Sequence, residues 1–219
     1  METNYEEILT ELKVQAKPEN VEGMARFGIN PKGTLGVTMP KVRALAKKIG
    51  KNHALAEKLW ASKVHEARIL ASLVDEPGKV TKKQMDSWIK GFDSWDVCDQ
   101  TCMNLFDKTP FAFEKAIEWT TRKREFEKRA GYALMASLAV HDKAAPDKKF
   151  EAFFPVIERE ANDERNFVRK AVNWALRQTG KRNARLRVKA LACARRVLKQ
   201  GSKPAKWIAR DAIRELLLR

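Results

Sequence analysis

Little in this chain could serve redox, metal or covalent chemistry. It has only three cysteines and three histidines in 219 residues. Cys98 and Cys102 share one helical stretch, far from Cys193, so no disulfide framework is available and all three read as reduced, packed thiols. His53, His65 and His141 are scattered, without metal-ligand spacing and without a serine or cysteine partner for nucleophilic catalysis. No metal and no cofactor are expected. The glycine-rich signatures of phosphate-cradling loops, dinucleotide sites and nucleophile elbows are missing, which sets aside hydride and phosphoryl transfer. No apolar run approaches the roughly 18 residues of a membrane span, so no membrane partner is expected. Met1 to Glu7 is acidic and lacks the basic and apolar regions of an export signal, which makes a cytoplasmic location the expectation.

Positive charge, in contrast, is abundant. Lys and Arg number 44 against 28 Asp and Glu, for a net charge of +16 and an isoelectric point near 9.9. Such an excess predicts a polyanionic partner, most often nucleic acid. It is concentrated at one end: from Lys181 to Arg219, thirteen bases face only Asp211 and Glu215. Some of these bases are expected to form solvated helix faces rather than contacts.

Apolar residues recur at three and four nearly everywhere, broken at Lys17-Pro18, Asn30 to Gly33, Glu76-Pro-Gly78, Thr109-Pro110, Ala145-Pro146 and Gly201 to Pro204. Thr38-Met-Pro40 predicts a helix start with a hydroxyl cap and an early proline. The only strand-like run, Thr34 to Thr38, is too short to anchor a sheet. About a dozen helices in antiparallel pairs are therefore expected. A weak repeat supports this. His65…Arg68, Phe126…Arg129 and Phe167…Lys170 each place a base three residues after a ring, the last two units 41 residues apart, a period typical of HEAT-type helix pairs. The predicted fold is all-α, a curved solenoid of HEAT-like antiparallel helix pairs, with residues 1–219 as one domain.

Two segments stand out against this regular background. In Asp93-Ser-Trp-Asp-Val-Cys-Asp-Gln100, Trp95 and Asp99 are four apart and share a helix face. At 100° per residue they lie well off the apolar stripe of Val97, Cys98, Thr101, Cys102 and Leu105. Asp93 reads as the helix cap and Asp96 as its partner in the first turn, which leaves Asp99 as the acid available for chemistry. The second segment is the helix around Phe167. Beside a core stripe of Val168, Ala171, Val172, Ala175 and Leu176 it carries Phe167, Lys170, Trp174 and Arg177, an alternation of aromatics and bases suited to stacking and phosphate pairing. Packing against a neighbouring helix would explain the same aromatics. In the preceding repeat the positions of Trp174 and Arg177 are taken by Ala133 and Ala136, which predicts a gap beside Arg129.

Met24-Ala-Arg-Phe-Gly-Ile29, Leu35-Gly-Val-Thr-Met-Pro-Lys-Val-Arg43, Ser94 to Gln100 and Phe167 to Arg177, taken in order, resemble the HEAT-like-repeat DNA alkylation repair family, the bacterial 3-methyladenine and 7-methylguanine DNA glycosylases. The resemblance implies a helical array on duplex DNA and excision of cationic N3- or N7-alkylated purines. The family's cleft tryptophans and aspartate match Trp95, Trp174 and Asp99, and its phosphate-contacting arginines match Arg129 and Arg177. Lys170, Arg169, Phe167 and Phe27 are counted with the DNA contacts. The chain departs from the pattern at Phe27, where a tyrosine can occur, and at Asn166, where a second aromatic is found. The expectation is a monofunctional glycosylase, a monomer in the cytoplasm that is nucleoid-associated when bound to DNA. The alternatives are a non-catalytic HEAT-repeat binder of bent, branched or damaged DNA, and a protein–protein scaffold.

Overall fold

The computed structural model describes residues 4–218; the first three residues and Arg219 lie outside the described residues. Among the described residues there are fourteen α-helices, two 3-10 turns and no strand, and no helix is long and apolar enough to cross a membrane. The chain divides into two compact units, 1–109 and 110–219, at the Thr109-Pro110 break.

The amino-terminal unit comprises α1 (Tyr5–Val14), α2 (Pro18–Arg26), α3 (Met39–Ile49), α4 (His53–Ala61), α5 (His65–Val74), α6 (Lys82–Lys90), α7 (Trp95–Asn104) and the 3-10 turn Phe106–Lys108. Side-chain caps start α1, α4 and α6: Asn4 accepts from Glu6 N–H, Asn52 from Leu55 N–H and Thr81 from Gln84 N–H. Pro40 stands in the first turn of α3 as expected, but the Thr38 hydroxyl makes no capping bond. α5 is buried over almost its whole circumference, with α3, α4 and α7 packed around it. The strand-like run is an extended loop. Its N–H groups at Leu35, Gly36 and Val37 all donate to the buried Glu66 carboxylate of α5, at 2.7–3.1 Å. Gly36 is required there: its φ is +77°, and a Cβ would lie 2.1 Å from the Lys17 carbonyl oxygen.

The carboxy-terminal unit comprises α8 (Ala112–Glu118), the 3-10 turn Trp119–Thr121, α9 (Glu125–His141), α10 (Asp147–Glu151), α11 (Phe153–Glu160), α12 (Asn166–Lys181), α13 (Ala184–Lys199) and α14 (Lys203–Leu217). Here α9 is the buried centre, flanked by α8 and α12, while α12 packs in turn on α13 and α14. Gly131 lets the 116–120 segment touch the α9 backbone; a Cβ there would lie 2.8 Å from the Ala116 carbonyl oxygen. Ala133 and Ala136 are fully buried. The gap expected beside Arg129 is therefore absent, because these small side chains are used to bring α12 close to α9.

The repeat is visible in the structure, and two of its three bases are internal. His65, Phe126 and Phe167 stand in the first turns of α5, α9 and α12. Buried Arg68 donates to the Gly91 carbonyl at 2.7 Å and to Asp93 at 2.7 Å. Buried Arg129 donates to the Phe167 carbonyl at 2.6 Å. Each guanidinium thus ties its helix to the next inner helix or the loop before it, through charge-assisted bonds of about 1.5–3 kcal/mol. A further link joins α9 to the turn before α12. Lys128 Nζ lies 2.5 Å from Glu160 and 2.9 Å from Asp163, and Arg165 also holds Asp163. Burial opposes ionisation of Asp163, but the bonds from Arg165 and Lys128 outweigh it and bring its pKa down to about 2.

Candidate functional site

α7 begins one residue later than the capping pattern predicts. Ser94 occupies the N-cap position, and neither Asp93 nor Asp96 caps the helix. All three are engaged elsewhere. Ser94 Oγ accepts from Asn30 N–H at 2.8 Å, Asp93 accepts from the Asn30 amide at 3.0 Å and from Arg68, and Asp96 meets His65 Nε2 at 2.8 Å. Trp95 completes this latch by donating its indole N–H to the Phe27 carbonyl at 3.0 Å. The start of α7 is thus fastened to the 27–30 loop. The indole nitrogen of Trp95 is satisfied within the protein, so its ring surface is what remains for a partner.

Asp99 stands one turn further along the same side of α7. It is 8% exposed, and its negative charge adds to the burial that pushes the Cys102 thiol upward. Trp95 itself lines a cavity of about 700 Å³ together with Met24, Phe27, Met39, Ile69 and Gln100. Phe27 is 75% exposed, at the end of α2 where the loop departs. Soft apolar side chains and one indole edge make this opening suited to an apolar or aromatic group. The structure therefore brings Phe27 and Trp95 together, through a contact invisible in the sequence because it spans 68 positions.

In the carboxy-terminal unit, α12 buries Val168, Ala171, Val172, Ala175 and Leu176, the stripe its periodicity predicts. The neighbouring face is used unevenly. Phe167 packs on Phe126 with ring centroids 5.4 Å apart. Arg177 is half-buried, bonded to Glu215 and 3.6 Å from Asp211 on α14. Arg169 holds its guanidinium over the Trp207 ring at 4.8 Å. Arg129 is buried against the Phe167 carbonyl. Lys170 is exposed and Trp174 half-buried, and neither has a hydrogen bond, ion pair or ring contact among the described residues. These two are the side chains of the α12 face most available to a ligand. The sequence places Lys203, Lys206 and Arg210 only within the basic carboxy-terminal run, whereas in the structure they form an exposed stripe on α14 together with Trp207. The signal was present as spacings of three, four and seven residues.

Among the described residues no group of three or more His, Cys, Asp or Glu is placed to hold a metal ion. A solved structure described as a new family of proteins related to the HEAT-like repeat DNA glycosylases with affinity for branched DNA structures matches this one with a TM-score of 0.81, covering 98% of this chain and 96% of that chain at 20% identity. That likeness establishes the all-helical, HEAT-like fold. Among curated proteins no sequence matches. The family of the DNA alkylation repair enzyme matches residues 8–216. With the fold and nearly the whole length in agreement, the chain belongs to the DNA alkylation repair enzyme family.

Proposed function

We propose that this protein is a monofunctional DNA glycosylase that hydrolyses the N-glycosidic bond of cationic N3- or N7-alkylated purines in duplex DNA. The observation that carries the proposal is the Trp95–Asp99 pair on α7, in a chain of this family whose surface is strongly cationic. An alkylated purine already bears positive charge and leaves with the bonding electrons as a neutral base, so no strong general acid is needed. As the C1′–N bond lengthens, positive charge develops on the deoxyribose. Asp99 stabilises that charge and orients a water, whose oxygen bonds to C1′ and whose proton is released, leaving an abasic site. Trp95 and Trp174 each offer an indole for cation–π contact with a cationic nucleotide, on the order of 0.5–2 kcal/mol. Phe27, Phe167, Arg169 and Lys170 act on the DNA strand, Arg177 does so on exchanging Glu215 for a phosphate, and Arg129 positions Phe167 through its carbonyl. The enzyme works as a cytoplasmic monomer, without a cofactor and without a Schiff-base lysine, so the strand is left uncut.

The test is incubation with methylated duplex DNA and chromatography of the released purines. Release of 7-methylguanine or 3-methyladenine without strand scission supports the proposal; no release at enzyme excess refutes it. A second proposal is a non-catalytic binder of branched DNA. Three observations favour it: Asp99 is 8% exposed, Arg177 is held by two acids, and the matched structure is described as having affinity for branched DNA structures. It predicts tight junction binding with no purine release.

A further inference from the structure

Six of the twelve carboxy-terminal bases among the described residues are already committed. Lys181 pairs with Glu215, Arg185 and Lys189 with Glu151, Arg196 with Glu158 and Arg214 with Asp211. Arg182 donates to the Lys143 and Ala145 carbonyls and covers the Phe150 ring at 4.1 Å. Arg187, Arg195, Lys199, Lys203, Lys206 and Arg210 have no side-chain hydrogen bond or ion pair among the described residues, and of these Lys203, Lys206 and Arg210 are exposed and lie together on α14. They recur on one face of α14, spread over about 10 Å of helix. Asp211, the acid beside them, faces Arg214 with one oxygen and Arg177 with the other, so it does not cancel their charge.

Trp207 stands within this stripe and is 40% exposed. The Arg169 guanidinium lies 4.8 Å from its ring centroid, which covers one face and stiffens the ring. Around it, Lys203, Lys206 and Arg210 border an open cavity of about 520 Å³. An indole backed on one side, open on the other and flanked by unpaired bases has the composition of a stacking platform for nucleic acid. A base inside a duplex has both faces occupied and cannot use it. An unpaired base can.

We propose that the α14 stripe binds an unpaired nucleotide, its base on the face of Trp207 away from Arg169 and its flanking phosphates on Lys203, Lys206 and Arg210. This rests on the nucleic-acid side of the proposed function and adds a contact of a different kind, one that reads strand opening rather than alkylation. It gives the protein a grip on frayed, gapped or branched DNA that blunt duplex does not engage.

The test uses the full chain and fluorescence anisotropy at one fixed salt, with a labelled oligothymidylate and a blunt duplex as probes. Trp207→Ala should weaken oligothymidylate binding about tenfold or more, whereas Trp207→Phe, which keeps a ring, should stay within about threefold. Blunt-duplex affinity and purine release from methylated duplex should not change with either substitution. For the double variant Lys203→Ala/Lys206→Ala, titrated over a range of salt, the salt slope on oligothymidylate should fall by about 1.4, or about 0.7 for each phosphate no longer neutralised. The proposal is overturned if Trp207→Ala binds oligothymidylate like the wild type, if it loses both probes equally, or if the salt slope of the double variant is unchanged. Failure of the glycosylase proposal would appear separately, as no purine release by the wild type, however the Trp207 variants bind.

Discussion

Asp99→Asn is the sharpest perturbation available, because it removes a charge and preserves the shape of the side chain. Asp99 is 8% exposed, so it acts through protein more than through bulk water. For a unit charge about 4 Å from a cationic sugar, with an effective dielectric of about 20, Coulomb attraction is about 4 kcal/mol. That corresponds to about three decades in rate. Asparagine keeps a carbonyl dipole in the same place, so the expected fall in 7-methylguanine release is between about two and three decades, the size seen when one preorganised group is lost. Single-turnover release from methylated duplex measures it, and a thermal melt by circular dichroism separates loss of charge from loss of fold. Duplex affinity should hold or rise slightly, since the carboxylate stabilises the charge developing in the transition state and otherwise only repels phosphate. Release within about threefold of wild type, a difference of under 1 kcal/mol, would remove Asp99 from the mechanism and with it the case for excision.

The packing has further consequences. Lys128→Met leaves Glu160 and Asp163 facing each other with less counter-charge and should cost about 3 kcal/mol in urea unfolding; a cost below about 0.5 kcal/mol would show the cluster to be surface-like. Because the folded pKa of Asp163 is about 2 and its unfolded value about 3.9, its contribution is complete above about pH 4 and is lost as pH falls towards 2. Asp163→Asn should therefore flatten the stability curve over that interval and nowhere else. All three cysteines are buried, and burial pushes the thiols of Cys102 and Cys193 upward, so a thiol reagent should titrate them only after unfolding; reaction in the native state would contradict the packing. Glu215→Gln should release Arg177 and Lys181 towards phosphate and steepen the duplex salt slope by up to about 0.9 per new contact. An unchanged slope would assign both bases to structure alone.

Helix breaks marked by proline and glycine were legible in advance, from Lys17-Pro18 to Gly201–Pro204, because those residues act locally through φ and the missing N–H. Breaks without them were not. Asn183 separates α12 from α13 by accepting from Leu186 N–H at 2.9 Å, and Lys63 ends α4 with φ at +60°; neither departs from a helical pattern of apolar residues. The buried stripe of α12 was legible for the same local reason. The capping assignment at α7 failed because Asp93 and Asp96 found stronger partners far away in sequence, Arg68 and His65. Local spacing carries no information about competition from a distant cation.

The fate of the repeated base makes the same point about function. At Arg68 and Arg129 the side chain reaches a carbonyl of a following element and is buried. In the third repeat that reach is made one residue earlier, by Arg169, and its target is the ring of Trp207 rather than a carbonyl. Lys170, at the repeat position itself, is left exposed and without a partner among the described residues. A shift of one residue turns a side chain through about 100° on a helix, enough to move the repeat's base from an internal tie to the surface. The repeat signature therefore marks architecture in two places and a candidate DNA contact in the third, and only the position of the next helix decides which.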